Sequence, residues 1–177
     1  MTSSAFHPGV TNCGGRLAHT GCRCGARSGA KAESLKVLGA DQMADVDLRA
    51  EFGPIDTPAG AFDRCKVTSA VYTERLLDDG VDAEWVQVVG PTRAYPDAHE
   101  PWHEVSLEFW QHYVTRVTRE DGAVEYVDWT HRQFEPDTAW PLVEPADVFE
   151  ARWSDVYDLP EDVTRKFARI AVTLVEN

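Results

Sequence analysis

The chain has 177 residues, of which 43% are hydrophobic and 27% are charged, and its formal net charge is −13. This composition is typical of one globular domain with a hydrophobic core, whereas the negative charge repels phosphate backbones and argues against nucleic-acid partners. No apolar run reaches the roughly 18 residues of a membrane span, and the first residues carry no secretory signal, so we expect a cytoplasmic protein without a membrane partner.

Residues 1–32 are rich in glycine, serine, alanine, arginine and cysteine and lack an apolar period. They predict a flexible tail outside the main domain. Cys13, His19, Cys22 and Cys24 have side chains that bind zinc, although the spacing of the cysteines does not match a familiar zinc finger. The segment is therefore interpreted as either a tail with reduced thiols or a small zinc-binding appendage. The rest of the chain is expected to need no cofactor.

The main domain is predicted to span residues 33–177. Residues 33–50 have mixed apolar spacing and predict a short helix or a linker. Pro54, Pro58 and Gly60 then indicate a loop, because proline and glycine interrupt regular structure. The body of the domain begins after this loop.

A longer helix is predicted at residues 66–77, where apolar residues recur at helical spacing. Asp63 is the expected N-cap residue, and Gly80 is expected to end the helix in a left-handed conformation. Cys65 therefore stands at a helix N-terminus. The unpaired N–H groups there favour the negatively charged thiolate, which is the reactive form of cysteine.

Alternating and β-branched residues predict three strands after this helix, at residues 83–89, 109–118 and 124–129. The proline-rich residues 90–101 predict a loop, and the prolines after Phe134 predict an extended, irregular path. A final helix is predicted at residues 161–172. This order of elements indicates an α+β fold, in which a helix that begins with cysteine packs on an antiparallel sheet and a second helix follows at the C-terminus.

The second and third strands are expected to form a hairpin. Residues 120–122 fit the three-residue turn in which a glycine adopts the left-handed conformation. In that register Val114 faces Asp128, and His112 is a diagonal neighbour of Asp128 on the same face of the sheet, at roughly 7–8 Å between backbones. A two-residue turn would change the register and separate His112 from Asp128.

These residues predict a thiol-based catalytic site. A cysteine nucleophile needs a base, and the base needs an orienting group. We assign Cys65 as the nucleophile, His112 as the base and Asp128 as the orienting acid. His103, which lies beside the proline-rich loop, is the alternative base.

The chain resembles the papain-like and transglutaminase-like cysteine hydrolase superfamily, in which Cys, His and Asp occur in this order on a helix start and two adjacent strands. Residues 127–134 resemble a V-D-x-T-x-x-Q-F segment of small bacterial and phage papain-fold proteins. The resemblance covers about residues 62–145. It implies a papain-like fold and a Cys-His-Asp triad formed by Cys65, His112 and Asp128.

One departure concerns the oxyanion hole. Papain-like proteases usually carry a glutamine several residues before the cysteine, and residues 57–62 contain none. The backbone N–H of Cys65 is one candidate donor, and Gln133 is interpreted as either an oxyanion donor or another polar residue of the site. Trp102, Trp129 and His103 are candidates for the walls of a substrate cleft.

The expected activity is hydrolysis of an amide or peptide bond, or acyl transfer, on a protein or peptide substrate. Peptidase, amidase, deamidase and acyl transferase chemistry all suit the same three residues. The alternative is a non-catalytic binding or inhibitory module on a papain-like fold, which the missing glutamine favours and the intact Cys-His-Asp set opposes.

Overall fold

The computed structural model describes residues 48–175 of the chain. The tail predicted at residues 1–32, its proposed zinc ligands Cys13, His19, Cys22 and Cys24, and most of the segment 33–50 lie outside the described residues. Within residues 48–175, no helix is both long and apolar enough to cross a membrane.

The described part of the chain is a mixture of helices and strands. The helices are α1 (Leu48–Phe52), α2 (Pro58–Ala61), α3 (Cys65–Asp78), α4 (Ala146–Glu150) and α5 (Glu161–Val175). The strands are β1 (Asp82–Pro91), β2 (Gln111–Thr118), β3 (Val124–Asp128), β4 (Leu142–Pro145) and β5 (Trp153–Asp158). Short 3₁₀ helices span Glu100–Glu104, Leu107–Phe109 and His131–Gln133.

The five strands form one sheet in the order β4-β3-β2-β1-β5, and every neighbouring pair is antiparallel. The prediction of an α+β fold with an antiparallel sheet is confirmed at this level. Helix α3 packs on the sheet next to α5. The C-terminal helix and the cysteine-bearing helix therefore share one apolar cluster.

That cluster is built around Trp85 of β1. Its ring stacks on Phe167 of α5 at 5.2 Å between centroids, and its Nε1 donates a hydrogen bond to the Oγ of Ser69 at 2.8 Å. Ser69 in turn donates to the carbonyl oxygen of Cys65 at 2.5 Å. The first turn of α3 is thus fixed to strand β1.

A second cluster of buried hydrophobic side chains includes residues of β1, β2 and β3. It is mainly aromatic and includes the side chains Tyr95, Trp110, Tyr126, Phe134, Phe149 and Trp153. Burial of so much aromatic surface gives a rigid apolar surround for any polar side chain that points into it. His112 and His131 both contact rings of this cluster.

The hairpin between β2 and β3 has the predicted turn and register. Arg119 donates its backbone N–H to Ala123 at 2.8 Å, and Gly122 has a φ of 84°, the left-handed value that the turn requires. Thr118 pairs with Val124 and Thr115 with Val127. The next pair in this register is Val114 and Asp128, so the predicted alignment of the two strands is correct.

The start of α3 differs from the prediction. Arg64, not Asp63, is the N-cap residue, and no side chain caps the helix. Asp63 has a φ of 58°, because the chain turns sharply between α2 and α3, where the N–H of Arg64 bonds the carbonyl of Ala61 at 3.1 Å. Aspartate is one of the few residues that tolerate this left-handed conformation.

Four other helices and strands were not expected. Helix α2 lies within the predicted loop, and its proline occupies a first-turn position where proline is tolerated. Strands β4 and β5 and the short helix α4 occupy the stretch predicted to be irregular. The end of α3 is as predicted, with Gly80 at a φ of 77°.

Candidate active site

Cys65 is the first residue of α3 and is 8% exposed. It lies in the wall of a cleft of about 300 Å³. It is a free thiol among the described residues. The backbone N–H groups of a first helical turn have no helical partner, so a negative charge on this sulfur or on a bound oxygen is favoured here.

His112 is the second residue of β2 and is fully buried. The edge of Phe134 faces its ring at 4.9 Å between centroids, and the ring of Trp153 stacks on it at 5.8 Å. Both contacts come from the aromatic cluster. They restrict the imidazole to one orientation and keep water away from it.

Asp128 orients this imidazole. Its Oδ2 lies 2.7 Å from the Nε2 of His112, and its Oδ1 accepts hydrogen bonds from the backbone N–H of Thr130 at 2.9 Å and from the Thr130 hydroxyl at 3.3 Å. A carboxylate only accepts, so the Nε2 of His112 carries the hydrogen. Cys65 lies close enough to the imidazole to contribute to raising its pKa. The Nδ1 atom is the ring nitrogen that Asp128 does not bond, and the Nε2 of Gln133 lies 3.5 Å from it.

Electrostatics favour a charged His112–Asp128 pair. Burial alone would lower the pKa of His112, but the negative charge of Asp128 and hydrogen bonds to Asp128 and Cys65 raise it to about 10. Burial alone would raise the pKa of Asp128, but His112 and His131 hold it well below its usual range. A charged imidazole beside a thiol is the arrangement that stabilises a thiolate.

His131 is a member of the site that was not assigned a role from the sequence. It is buried, and its Nδ1 lies 3.1 Å from the Oδ2 of Asp128 while its Nε2 lies 2.9 Å from the Oε2 of Glu135. The sequence contained a signal, because His131 follows Asp128 by three residues and precedes Glu135 by four. Those spacings bring side chains together in one helical turn.

Gln133 is buried behind His112. Its Nε2 lies 3.5 Å from the Nδ1 of His112 and donates to the carbonyl of Thr130 at 3.0 Å, while its Oε1 accepts from the Nε1 of Trp102 at 3.1 Å. Gln133 is not among the described residues that line the cleft. Of the two roles predicted for it, this position suits a polar residue that supports the site better than an oxyanion donor.

Trp102 lies in the wall of the cleft, as expected. Its ring contacts Phe62 edge-on at 5.7 Å between centroids. The walls are largely apolar and aromatic, with a few polar side chains near the cysteine. The described residues of the cleft are Phe62, Asp63, Cys65, Lys66, Pro101, Trp102, Val105, Gln111 and Tyr113.

Two residues expected in the cleft lie elsewhere. Trp129 is buried in the cluster around Trp85, where its ring contacts Tyr72 at 5.3 Å, because strand alternation turns it away from the face that carries Asp128. His103 is exposed on a 3₁₀ helix and its Nε2 bonds the carbonyl of Ala98 at 2.8 Å. His103 is therefore not positioned as the base.

Residues 48–175 contain no group of three histidine, cysteine or acidic side chains arranged to hold a metal ion. The histidines and carboxylates of the site bond one another instead. Comparison of the chain with protein-family models, with curated proteins and with solved structures gave no match.

Proposed function

We propose that this chain is a thiol-dependent hydrolase or acyl transferase that acts on an amide or peptide bond, with a papain-like fold and a Cys65-His112-Asp128 triad. One observation carries the proposal. A histidine bonded by a buried carboxylate meets a cysteine at the start of a helix, and that cysteine opens into a cleft. A buried charged pair of this kind is costly for stability alone, and perturbed groups in a cleft are typical of catalytic sites.

The first half-reaction transfers the acyl group to the enzyme. The Cys65 thiolate attacks the carbonyl carbon and forms a carbon–sulfur bond, while the carbonyl electrons move onto oxygen. The backbone N–H of Cys65 is the proposed donor to this oxyanion. When the carbon–nitrogen bond breaks, the Nδ1–H of His112 gives its proton to the leaving amine.

The second half-reaction releases the acyl group. His112, now neutral, takes a proton from a water molecule as the water oxygen attacks the thioester carbon. The carbon–sulfur bond breaks, and the sulfur leaves as a thiolate beside the reprotonated imidazole. An amine in place of water makes the product an amide, and the enzyme is then an acyl transferase. Throughout, Asp128 keeps the proton on Nε2 and stabilises the imidazolium.

The cleft favours a protein or peptide substrate. Its aromatic walls, formed by Phe62, Trp102 and Tyr113, suit an apolar group next to the reacting carbonyl. Lys66 and Asp63 offer charged groups at the same opening. The net charge of −13 gives no support to nucleic-acid substrates.

The direct test is the rate at which iodoacetamide alkylates Cys65 at pH 6, followed by peptide mass spectrometry on the full chain. A free thiol is less than about 1% thiolate at this pH. We expect Cys65 to react at least about 10-fold faster than glutathione, because His112 stabilises its thiolate. His112→Ala should abolish the difference, and His103→Ala should leave it unchanged, since His103 lies outside the cleft.

A second measurement addresses acyl chemistry. p-Nitrophenyl acetate should release p-nitrophenolate in a burst, and the Cys65 peptide should gain the mass of one acetyl group. Cys65→Ser should lose both signals. Alkylation of Cys65 no faster than that of glutathione, with no burst, would favour the non-catalytic binding module instead.

A further inference from the structure

One oxygen of Asp128 serves two histidines. Its Oδ2 lies 2.7 Å from the Nε2 of His112 and 3.1 Å from the Nδ1 of His131. The triad mechanism uses only the first of these contacts. The second needs a separate explanation, because all three side chains are at most 1% exposed.

Both ring nitrogens of His131 face carboxylate oxygens. Its Nδ1 meets Asp128, and its Nε2 meets Glu135 at 2.9 Å. A neutral imidazole has one N–H and would point a lone pair at one of the carboxylates, which is repulsive. The two carboxylates therefore favour an imidazolium over a neutral ring. In agreement, hydrogen bonds to Asp128 and Glu135 raise the pKa of His131 although burial opposes them.

The charged groups around His131 come from several elements. Asp128 approaches from β3, His112 from β2 and Glu135 from the chain just after His131. Arg152, in the turn after α4, lies 3.4 Å from the Nε2 of His131 and 2.9 Å from Glu135. Arg93 also pairs with Glu135, Glu144 pairs with Arg152, and the ring of Tyr95 contacts His131 edge-on at 6.3 Å.

We propose that His131 is a positioning residue of the same site and that it acts as a cation anchored on Glu135. It fixes the position of the Asp128 oxygen that orients His112. Its positive charge also limits how strongly that oxygen stabilises the charged form of His112. This inference rests on the proposed function. It explains why a second imidazolium is kept in an apolar surround. Without it, Asp128 would stabilise the imidazolium of His112 more strongly, and transfer of the Nδ1 proton to a leaving amine would be slower.

Two neutral variants separate the two parts of this role. His131→Asn keeps an amide N–H where Nδ1 stands, and so still donates to Asp128. His131→Gln places its N–H near Nε2, toward Glu135, and leaves Asp128 without that donor. Both variants remove the positive charge.

The measurements are the pH titration of His112 by ¹⁵N NMR and the alkylation rate of Cys65 in the same samples. In both variants we expect the pKa of His112 to rise by about one unit, because a nearby like charge is gone. At pH 6 the alkylation rate should stay within about threefold of wild type in His131→Asn and fall about 10-fold in His131→Gln, as for other groups that orient a functional histidine. His103→Asn is the control and should change neither quantity.

An unchanged His112 titration in a folded His131→Asn variant would overturn the proposal. If neither variant folds, the ¹⁵N chemical shifts of wild-type His131 at pH 7 show whether its ring is charged. A neutral ring would also overturn the proposal. The two proposals fail separately. Slow alkylation of wild-type Cys65 would contradict the proposed hydrolase function. The titration of His112 tests the positioning role of His131 independently of that function.

Discussion

The hydroxyl oxygens of Thr73 and Thr115 lie 2.8 Å apart in the interior of the protein. Thr73 belongs to the helix that begins with Cys65, and Thr115 belongs to the strand that carries His112. Thr115 also donates to the backbone carbonyl of Ser69 at 3.2 Å. This small polar contact therefore sets the distance between the elements that carry the candidate nucleophile and the candidate base.

Thr115→Val should weaken the protein and loosen the site. Valine has the same shape but cannot bond the Thr73 hydroxyl or the carbonyl of Ser69, so we expect the free energy of unfolding to fall by about 1–2 kcal/mol. The alkylation rate of Cys65 at pH 6 should fall as well. Urea unfolding and alkylation measure the two effects. Thr115→Ser keeps the hydroxyl and should restore the rate, and equal rates in all three proteins would contradict the role assigned to this contact.

Gly122→Ala should cost stability without disturbing the site. Gly122 has a φ of 84° and no atom lies within 4 Å of where a β-carbon would be, so the cost is backbone strain alone, about 1–2 kcal/mol. Thermal unfolding measures it. The alkylation rate of Cys65 should remain at the wild-type value, and a large loss of rate would mean that the hairpin register had changed.

The hairpin and the His112–Asp128 pair could be predicted because both depend on local information. A glycine at the third position of a short turn fixes the register, and the register determines which side chains share a face. The same rule turns Trp129 to the opposite face from Asp128, although its aromatic character had suggested the cleft. The aromatic character of Trp129 was therefore a weaker guide to its position than strand alternation.

Other features depend on long-range contacts. Strand β5 pairs with β1, so that Val156 faces Val88, and only Trp153 of β5 is buried. An edge strand with so few apolar residues has no clear alternation to detect. His131 was missed for a related reason. Its role appears only when the 3₁₀ turn after β3 brings its ring back to Asp128.

Asp128→Asn should affect both stability and reactivity. The N–H groups of two histidines face Oδ2 of Asp128, and two donors of Thr130 face Oδ1. The NH₂ group of an asparagine would replace one of these oxygens and would face hydrogen-bond donors instead of accepting from them. We expect the free energy of unfolding to fall by about 3–5 kcal/mol, because buried charges lose their partner. The alkylation rate of Cys65 should fall to that of a free thiol.

Asp121→Asn is the matched control for this variant. Asp121 is exposed in the hairpin turn, and its Oδ1 accepts the backbone N–H of Ala123 at 3.0 Å, which an amide oxygen also does. Its stability and its alkylation rate should match those of wild type. If Asp128→Asn alkylated as fast as this control, Asp128 would not be the group that orients His112.

The charge on His131 should also be visible in the pH dependence of stability. A histidine whose folded-state pKa is raised stabilises the protein fully below its ordinary pKa of about 6.5, and this contribution is lost as pH rises through the folded-state pKa. Between about pH 6.5 and the raised folded-state pKa, the folded state holds more of the His131 proton than the unfolded state does. The free energy of unfolding of wild type should therefore fall more steeply with pH than that of His131→Asn in this range, with a difference in slope of at most about 1.4 kcal/mol per pH unit.

Urea unfolding of both proteins at several pH values in this range measures that difference. His112 contributes equally to both proteins, because its raised pKa keeps it protonated in either folded state at these pH values, so its effect cancels in the comparison. Asp128 and Glu135 do not interfere, since both have lowered pKa values and stay ionised. Parallel curves for the two proteins would mean that His131 is neutral in the folded state, and the two carboxylates would then need a different explanation.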